Sequence, residues 1–121
     1  MSAPVMYILV NDDLHMSTGK IASQVAHAAC DVVIRIITDV FETVKHDIRI
    51  VEYFRWLPEP TKIVLRATEQ QIRAVMDDFD VSDIAVIVDD GKTEVPPDSL
   101  TAIAIRPSVA FRERMSEFKL L

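Results

Sequence analysis

The most constraining feature of this sequence is a short apolar run that is followed, after one polar loop, by a long segment without a helix breaker. Residues 4–10 (PVMYILV) are apolar and partly β-branched, which predicts a buried strand. Residues 11–19 are mostly polar and predict a loop, and Ser17 or Thr18 can cap a helix over residues 18–38. A strand, a short loop and a long helix are typical of the start of a βαβ unit.

The rest of the chain continues this alternation. Apolar and β-branched runs predict three more strands, at residues 61–67, 82–88 and 100–105. Apolar residues at helical spacing predict three more helices, at residues 41–57, 69–79 and 108–118. The order of these elements predicts an α/β fold, namely a three-layer α/β/α sandwich around a four-stranded mixed β-sheet.

Length and charge limit the classes of protein to which the chain can belong. With 121 residues and a mass of 13.7 kDa, it forms one domain over residues 1–121. The net charge of −6, from 19 acidic and 13 basic residues, argues against a protein that binds nucleic acid over its whole surface. A local basic patch remains compatible with this charge.

Other features of the composition predict a cytoplasmic protein. The single cysteine, Cys30, excludes an internal disulfide framework and favours a reducing compartment. We expect no membrane-spanning segment, because no apolar run approaches the ~20 residues that span a bilayer. The first four residues, MSAP, lack the basic segment of a signal peptide.

Glycine is scarce in this chain. Average usage of about 7% would give roughly eight glycines, and the sequence has two, Gly19 and Gly91. Such sparing use predicts glycine where the backbone needs a positive φ or where another group must approach closely. The simpler alternative is a loop before a helix at Gly19 and a tight turn between strands at Gly91.

A polar stripe lies along the first predicted helix. Lys20, Gln24, His27 and Asp31 are spaced by four, three and four residues, so they share one face. One interpretation is an ordinary helix face exposed to water. The stripe begins directly after Gly19, however, at a helix N-terminus that favours anions. A lysine, an amide and an imidazole there could hold a phosphate or polarise an ester carbonyl.

A second polar segment, residues 89–94 (DDGKTE), follows the third predicted strand. Ligands gather at the carboxyl ends of parallel strands, where residues 11–19 also lie, so the two glycine-bearing segments are expected to meet. The alternative for residues 89–94 is a hairpin turn with solvated carboxylates. A zinc site at His27 and Cys30 is disfavoured, because no further ligand has a usable spacing.

Residues 13–28 (DLHMSTGKIASQVAHA) resemble the signature of the archaeal/eukaryotic-type (type 2) peptidyl-tRNA hydrolases. That signature reads D-L-x-M, two positions, and then G-K-x-A-x-Q-x-x-H-A. Further matches are T-K-I-V-L at 61–65, D-x-G-x-T at 89–93, P-P at 96–97, T-x-I-A-I-x-P at 101–107 and F-K-L-L at 118–121. The resemblance covers nearly the whole chain in order, and residues 41–60 match least well.

The resemblance implies a homodimeric α/β enzyme that cleaves the ester between a peptide and the 3′ ribose of tRNA. It implies no cofactor, no metal and no covalent intermediate. The residues that it places in the catalytic cleft are Lys20, Gln24, His27, Asp89 and Thr93. The candidates for substrate binding are Thr18, Gly19, Gly91, Lys92 and Arg106. Either Asp89 or His27 could orient the attacking water, and the residues alone leave that choice open.

Three positions depart from the family pattern. Asn11 stands where the family usually has an arginine, residues 17–20 (STGK) replace G-K-G-K, and Glu94 replaces a glutamine. Each change removes positive charge or adds negative charge near the expected tRNA-facing rim. Because phosphate neutralisation supplies most sequence-independent affinity, tRNA binding is expected to be weaker than is usual in the family.

Two other functions are compatible with the sequence. One is a non-catalytic or repurposed family member that binds RNA or another ligand in the same cleft, which the missing basic residues favour. The other is a hydrolase of small acyl or amide substrates. The retained lysine, amide, imidazole and carboxylate of the cleft favour an enzyme.

Residues 53–57 (YFRWL) carry many aromatic and apolar side chains for a peripheral helix, which predicts a contact between two copies of the chain.

Overall fold

The computed structural model describes residues 3–43 and 48–121. For residues 40–43 it describes the backbone but not the side chains. The helices are α1 (Thr18–Thr43), α2 (Ile48–Trp56), α3 (Glu69–Asp78) and α4 (Arg112–Met115). The strands are β1 (Met6–Asn11), β2 (Lys62–Ala67), β3 (Ile84–Asp89), β4 (Ser99–Ile105) and β5 (Lys119–Leu120). Each predicted strand is present, and each predicted helical span contains a helix, although α1 extends past its predicted end at residue 38 and includes residues 41–43. Residues 44–47, inside the predicted helix 41–57, lie outside the described residues.

The sheet has the order β3-β4-β1-β2-β5. β1 and β2 are parallel, and the other neighbouring strands are antiparallel. The mixed α/β fold is therefore confirmed, but the predicted number of strands is one too low. The additional strand, β5, is only two residues long, and it pairs with Leu65 and Arg66 at the edge of β2. A run of two residues is too short to give a recognisable strand pattern.

Helices cover both faces of the sheet. On one face α1 and α2 bury Ala28, Val32 and Trp56 against the sheet. On the other face α3 and α4 bury Ile72, Val75 and Met115. Side chains of β1 alternate between these two layers, so that Ile8 belongs to the first and Leu9 to the second.

The last helix is much shorter than the predicted span 108–118. The backbone N–H of Val109 donates to Glu52, and that of Ala110 donates to the side chain of Ser108. Ser108 itself forms a bridge with Val5. Because these contacts bind the backbone of residues 108–110, that part of the predicted helix is not helical. Only one helical turn, α4, follows.

One helix in the described part of the chain is long and apolar enough, by length and composition alone, to cross a membrane: the Thr18–Asp39 part of α1. The expectation that no apolar run approaches this length is therefore wrong. Core helices of soluble proteins meet the same criterion. In α1, Val32 and Ile36 are fully buried within the domain.

Glu52 of α2 and Arg106, directly after β4, form a buried ion pair. Arg106 Nη1 lies 2.6 Å from Glu52 Oε1, with side-chain exposures of 11% and 7%. Arg106 Nε also donates to Asp83, at 2.8 Å. Burial by itself raises the pKa of Glu52, but hydrogen bonds from Arg106, Val109 and Ser108 outweigh it and hold that pKa below its ordinary value. This network fastens α2 to the amino end of β3.

We expect Arg106→Ala to lower the free energy of unfolding by about 3 kcal/mol or more, because it leaves the Glu52 carboxylate buried without its cation. Urea denaturation measures the change. Arg73→Ala is the matched control, since Arg73 pairs with Glu69 on the exposed surface of α3 and such pairs contribute less than about 1 kcal/mol. Equal losses in the two variants would contradict a structural role for the buried pair.

Candidate active site

The two glycine-bearing segments meet at the carboxyl ends of β1 and β3, as the sequence predicts. Lys20 Nζ lies 2.7 Å from Asp89 Oδ2, and Gln24 Nε2 donates to the same oxygen at 3.2 Å. The side chains of Lys20 and Asp89 are only 12% and 10% exposed. For these members of the polar stripe, the alternative of an ordinary water-facing helix surface is wrong.

Ser17, rather than Thr18, caps α1. Its backbone carbonyl accepts from Ile21 N–H at 2.9 Å, and its hydroxyl accepts from Lys20 N–H at 3.3 Å. Thr18 and Gly19 are therefore the first two helical residues, and both are exposed. The cap places Lys20 on the first turn of the helix, beside the carboxyl end of the sheet.

Thr101 on β4 is a residue of the site that sequence analysis missed. Its hydroxyl lies 2.6 Å from Gln24 Oε1 and donates to it. Gln24 is buried, so this bond fixes its amide with the N–H group facing Asp89. The only available signal was the T-x-I-A-I match at 101–105, which indicated a strand and gave no role to the hydroxyl.

Asp89 is held in its charged form. The hydrogen bond from Lys20, followed by the bond from the backbone N–H of Gly91 at 2.7 Å, lowers the pKa of this carboxyl below its ordinary value, although burial opposes the change. Its Oδ2 atom accepts from Lys20 and Gln24, whereas Oδ1 accepts from Gly91. A carboxylate oxygen has two acceptor positions, so Oδ1 retains one for a further donor such as water.

The local structure requires a glycine at Gly91 but not at Gly19. Gly91 has a φ of +79°, and a Cβ atom there would lie 2.5 Å from the backbone nitrogen of Pro97. The prediction of a positive φ is therefore confirmed at Gly91. It is wrong at Gly19, which is helical, and a Cβ atom on Gly19 would meet nothing within 4 Å. Close approach of a substrate to Gly19 stays a prediction.

An open cleft of about 570 Å³ lies between α1 and β3 beside this cluster. Its polar lining includes Gln24, His27, Asp31 and Asp89. His27 is exposed, so its imidazole is accessible to solvent and to any molecule in the cleft. The apolar part of the lining comes from α1 and from residues 86–88 of β3.

The other predicted site residues lie around or away from this cleft. Thr93 and Lys92 are exposed on the loop between β3 and β4, and Lys92 Nζ lies 3.6 Å from Asp90. The structure does not bring Arg106 to the cleft. It follows the far end of β4, about seven residues or roughly 20 Å from Ser99, the residue that pairs with Asp89.

Asn11 also differs from expectation, because it is 1% exposed and does not form part of an outer rim. Its Nδ2 donates to the carbonyl of Leu100 at 2.8 Å, and its Oδ1 accepts from Asp13 N–H at 3.0 Å. An amide there joins the carboxyl end of β1 to β4. Asn11 is therefore a structural residue. Its replacement of the arginine that is usual in the family indicated only a loss of charge and could not reveal this role.

Among the side chains that the structure describes, no group of three or more from histidine, cysteine, aspartate or glutamate is placed to hold a metal ion. In that part of the chain, His27 and Cys30 therefore belong to no such metal-binding group.

Fold and site together define a small α/β protein with a polar cleft at the carboxyl end of its sheet. The family model described as Peptidyl-tRNA hydrolase PTH2 matches residues 4–121. The chain belongs to this family.

Curated archaeal proteins are similar over most of their length. A protein of Staphylothermus marinus named peptidyl-tRNA hydrolase is 35% identical, over 94% of this chain and 92% of that protein. Its namesake in Sulfurisphaera tokodaii is 33% identical, over 88% and 87%. One from Saccharolobus islandicus is 34% identical, over 85% of each chain.

We expect Gly91→Ala and Gly19→Ala to change thermal stability in opposite directions. The first forces a side chain into a left-handed turn and against Pro97, which costs on the order of 1–3 kcal/mol. The second removes a flexible residue from a helix and stabilises it by up to about 1 kcal/mol. Calorimetry should show a lower Tm for Gly91→Ala and an equal or higher Tm for Gly19→Ala. A large loss in Gly19→Ala would contradict the open surroundings of that residue.

Proposed function

We propose that this chain hydrolyses the ester bond between a peptide, or an N-blocked aminoacyl group, and the 3′ end of tRNA, and so recycles peptidyl-tRNA. The observation that carries the proposal is the cluster of Lys20, Gln24 and Asp89 at the mouth of a cleft. Membership of the peptidyl-tRNA hydrolase PTH2 family and the names of the archaeal relatives support the same substrate.

The chemistry requires few groups because an ester is an activated acyl group. Lys20 has three N–H donors, of which Asp89 takes one. The remaining donors can stabilise the oxyanion that forms as water attacks, or bind the terminal phosphate. Gln24 is fixed by Thr101 and offers a positioned hydrogen bond at the cleft wall. In this proposal Thr93 supplies a further hydrogen bond to the substrate.

The attacking water needs a group that orients it and accepts its proton. Asp89 Oδ1 retains an acceptor position, and the imidazole of His27 is open to the cleft. Either group can serve without a metal, a cofactor or a covalent intermediate. We therefore propose direct hydrolysis by water, with Thr18, Gly19, Gly91 and Lys92 as the substrate-facing residues at the rim.

We expect Lys20→Ala to reduce kcat/KM for N-acetyl-aminoacyl-tRNA by about 100-fold or more, the scale of one lost oxyanion donor. Release of the blocked amino acid by purified protein measures this change. Lys62→Ala is the matched control, because Lys62 is an exposed lysine at the opposite end of the sheet, over the ring of Trp56. Lys45, another lysine that could serve as a control, lies outside the described residues. Turnover close to wild type in Lys20→Ala would remove Lys20 from the mechanism.

A second candidate function is a non-catalytic or repurposed member that binds RNA or another ligand in the cleft. The pairing of Lys20 with Asp89 beside the cleft, and of Lys92 with Asp90 on the neighbouring loop, favours it, since paired cations attract phosphates less. Binding of tRNA without any release of the blocked amino acid would establish this alternative.

We propose that the protein acts in the cytoplasm as a homodimer that forms through α2. Val51 and Phe54 of α2 and Leu57, the residue directly after it, are exposed by 46%, 63% and 42%. Trp56 is not part of this apolar surface, since it is buried and donates to the carbonyl of Thr61 at 2.8 Å. A second copy can cover the exposed side chains symmetrically. No membrane contact is proposed, because α1 packs on the sheet.

Light scattering across a dilution series should give about twice the mass of one chain. Phe54→Asp should shift the protein toward the monomer, because it places a charge in the apolar contact. Leu120→Asp is the control, since Leu120 is exposed by 69% and lies on β5, at the edge of the sheet. A wild-type monomer at micromolar concentration would contradict the proposed dimer.

A further inference from the structure

The carboxylate of Glu94 lies on the N-terminus of α1. The backbone N–H of Ser17 donates to Glu94 Oε1 at 2.7 Å, and the Ser17 hydroxyl donates to Oε2. Ser17 is the residue that caps α1, through its contacts with Lys20 and Ile21. Glu94 therefore accepts hydrogen bonds from both donors of Ser17, its backbone N–H and its hydroxyl, although the two residues are 77 positions apart in the chain.

The surroundings of Glu94 hold it in this position. The next residue, Val95, is buried in a small cluster with Val10 and Met16. On the other side, the turn at Gly91 packs against the backbone of Pro97. The loop is therefore fixed at both ends, and the carboxylate projects from it onto the helix.

The electrostatic consequence is a negative charge where an anionic ligand would otherwise bind. Hydrogen bonds from the Ser17 hydroxyl and N–H lower the pKa of Glu94 below its ordinary value, and the positive charge of Lys20 contributes in the same direction. Lys20 thus pairs with Asp89 and also attracts Glu94, and the three side chains together carry a charge of −1. Helix N-termini favour phosphate groups, and here a side chain of the protein occupies that position.

We propose that Glu94 is a positioning and specificity-determining residue of this site, which anchors the loop carrying Thr93 to α1 and limits the affinity of the site for the phosphates of its substrate. The proposal rests on the proposed function for the identity of that substrate. It predicts that the charge and the anchoring hydrogen bonds have separable effects. The charge acts on substrate affinity, whereas the hydrogen bonds act on the rate of the chemical step.

Glu94→Gln separates these effects, because a glutamine amide can accept from Ser17 N–H and can donate to the Ser17 hydroxyl. We expect KM for N-acetyl-aminoacyl-tRNA to fall about three- to ten-fold at low salt, as repulsion of a nearby phosphate is removed. The slope of log K against log salt should steepen by about 0.7, the value for one further phosphate neutralised on a single strand. For the wild type we expect a slope of about 2 or less, since few cations face the site.

Three variants complete the test. Glu94→Ala loses the hydrogen bonds as well as the charge, and it should lower kcat, with rescue by Glu94→Gln. Glu113→Gln removes one negative charge from exposed α4 and should leave KM and kcat unchanged. Thr18→Lys adds a cation on the first turn of α1 and should tighten binding and steepen the salt slope in the same way as Glu94→Gln.

The outcomes distinguish this proposal from the proposed function. An unchanged KM in Glu94→Gln, or an equal shift in Glu113→Gln, would overturn the specificity role, because the effect would then be absent or due to net charge. Equal kcat values in Glu94→Ala and the wild type would overturn the positioning role. If no variant releases the blocked amino acid, the proposed function fails. In that case, affinity for the same tRNA analogue, measured by fluorescence anisotropy, still tests whether Glu94→Gln tightens binding.

Discussion

The carboxylate of Asp89 joins the three parts of the chain that form the cleft. Asp89 is the last residue of β3, an edge strand that has a neighbouring strand on one side only. Its carboxylate accepts hydrogen bonds from Lys20 and Gln24 of α1 and from the backbone N–H of Gly91. Removal of this carboxylate would leave the Lys20 ammonium at 12% exposure without its ion-pair partner. Such a charge is costly in a partly buried position, so the placement of the first turn of α1 depends on Asp89.

Charged groups serve different purposes at the two ends of the sheet. At the amino end of β3, Arg106 is surrounded by Glu52 and Asp83, and the network fixes α2. At the carboxyl end, carboxylates take the N-termini of helices: Glu94 binds Ser17 at the start of α1, and Asp13 accepts from Glu69 N–H at the start of α3, at 2.9 Å. At the start of each of these two helices, a carboxylate of the protein itself thus accepts a hydrogen bond from one backbone N–H group.

Strands β1 to β4 and most helices could be predicted because each depends on residues close together in sequence. The meeting of the two glycine-bearing segments could be predicted because both follow the carboxyl ends of strands. The spacing of Lys20 and Gln24 placed them on one helix face, and Asp89 followed an obvious strand. The partners that complete the site could not be predicted, because Thr101 and Glu94 act across 77 residues. Arg106 was assigned to the substrate by its charge alone, without the strand direction that places it at the opposite end.

The pairing of Lys20 has a further consequence for how an acidic chain can perform acyl transfer to water. A free surface lysine would sample many rotamers and would lose that freedom on binding substrate. Here Asp89 holds the ammonium in one position, while two of its N–H donors remain for substrate oxygens. In the mechanism proposed above, the cation would therefore be positioned before the oxyanion develops, which would lower the reorganisation required in the transition state. The cost would be weaker long-range attraction to phosphates, so this proposed site exchanges affinity for the substrate for precision at the reacting bond.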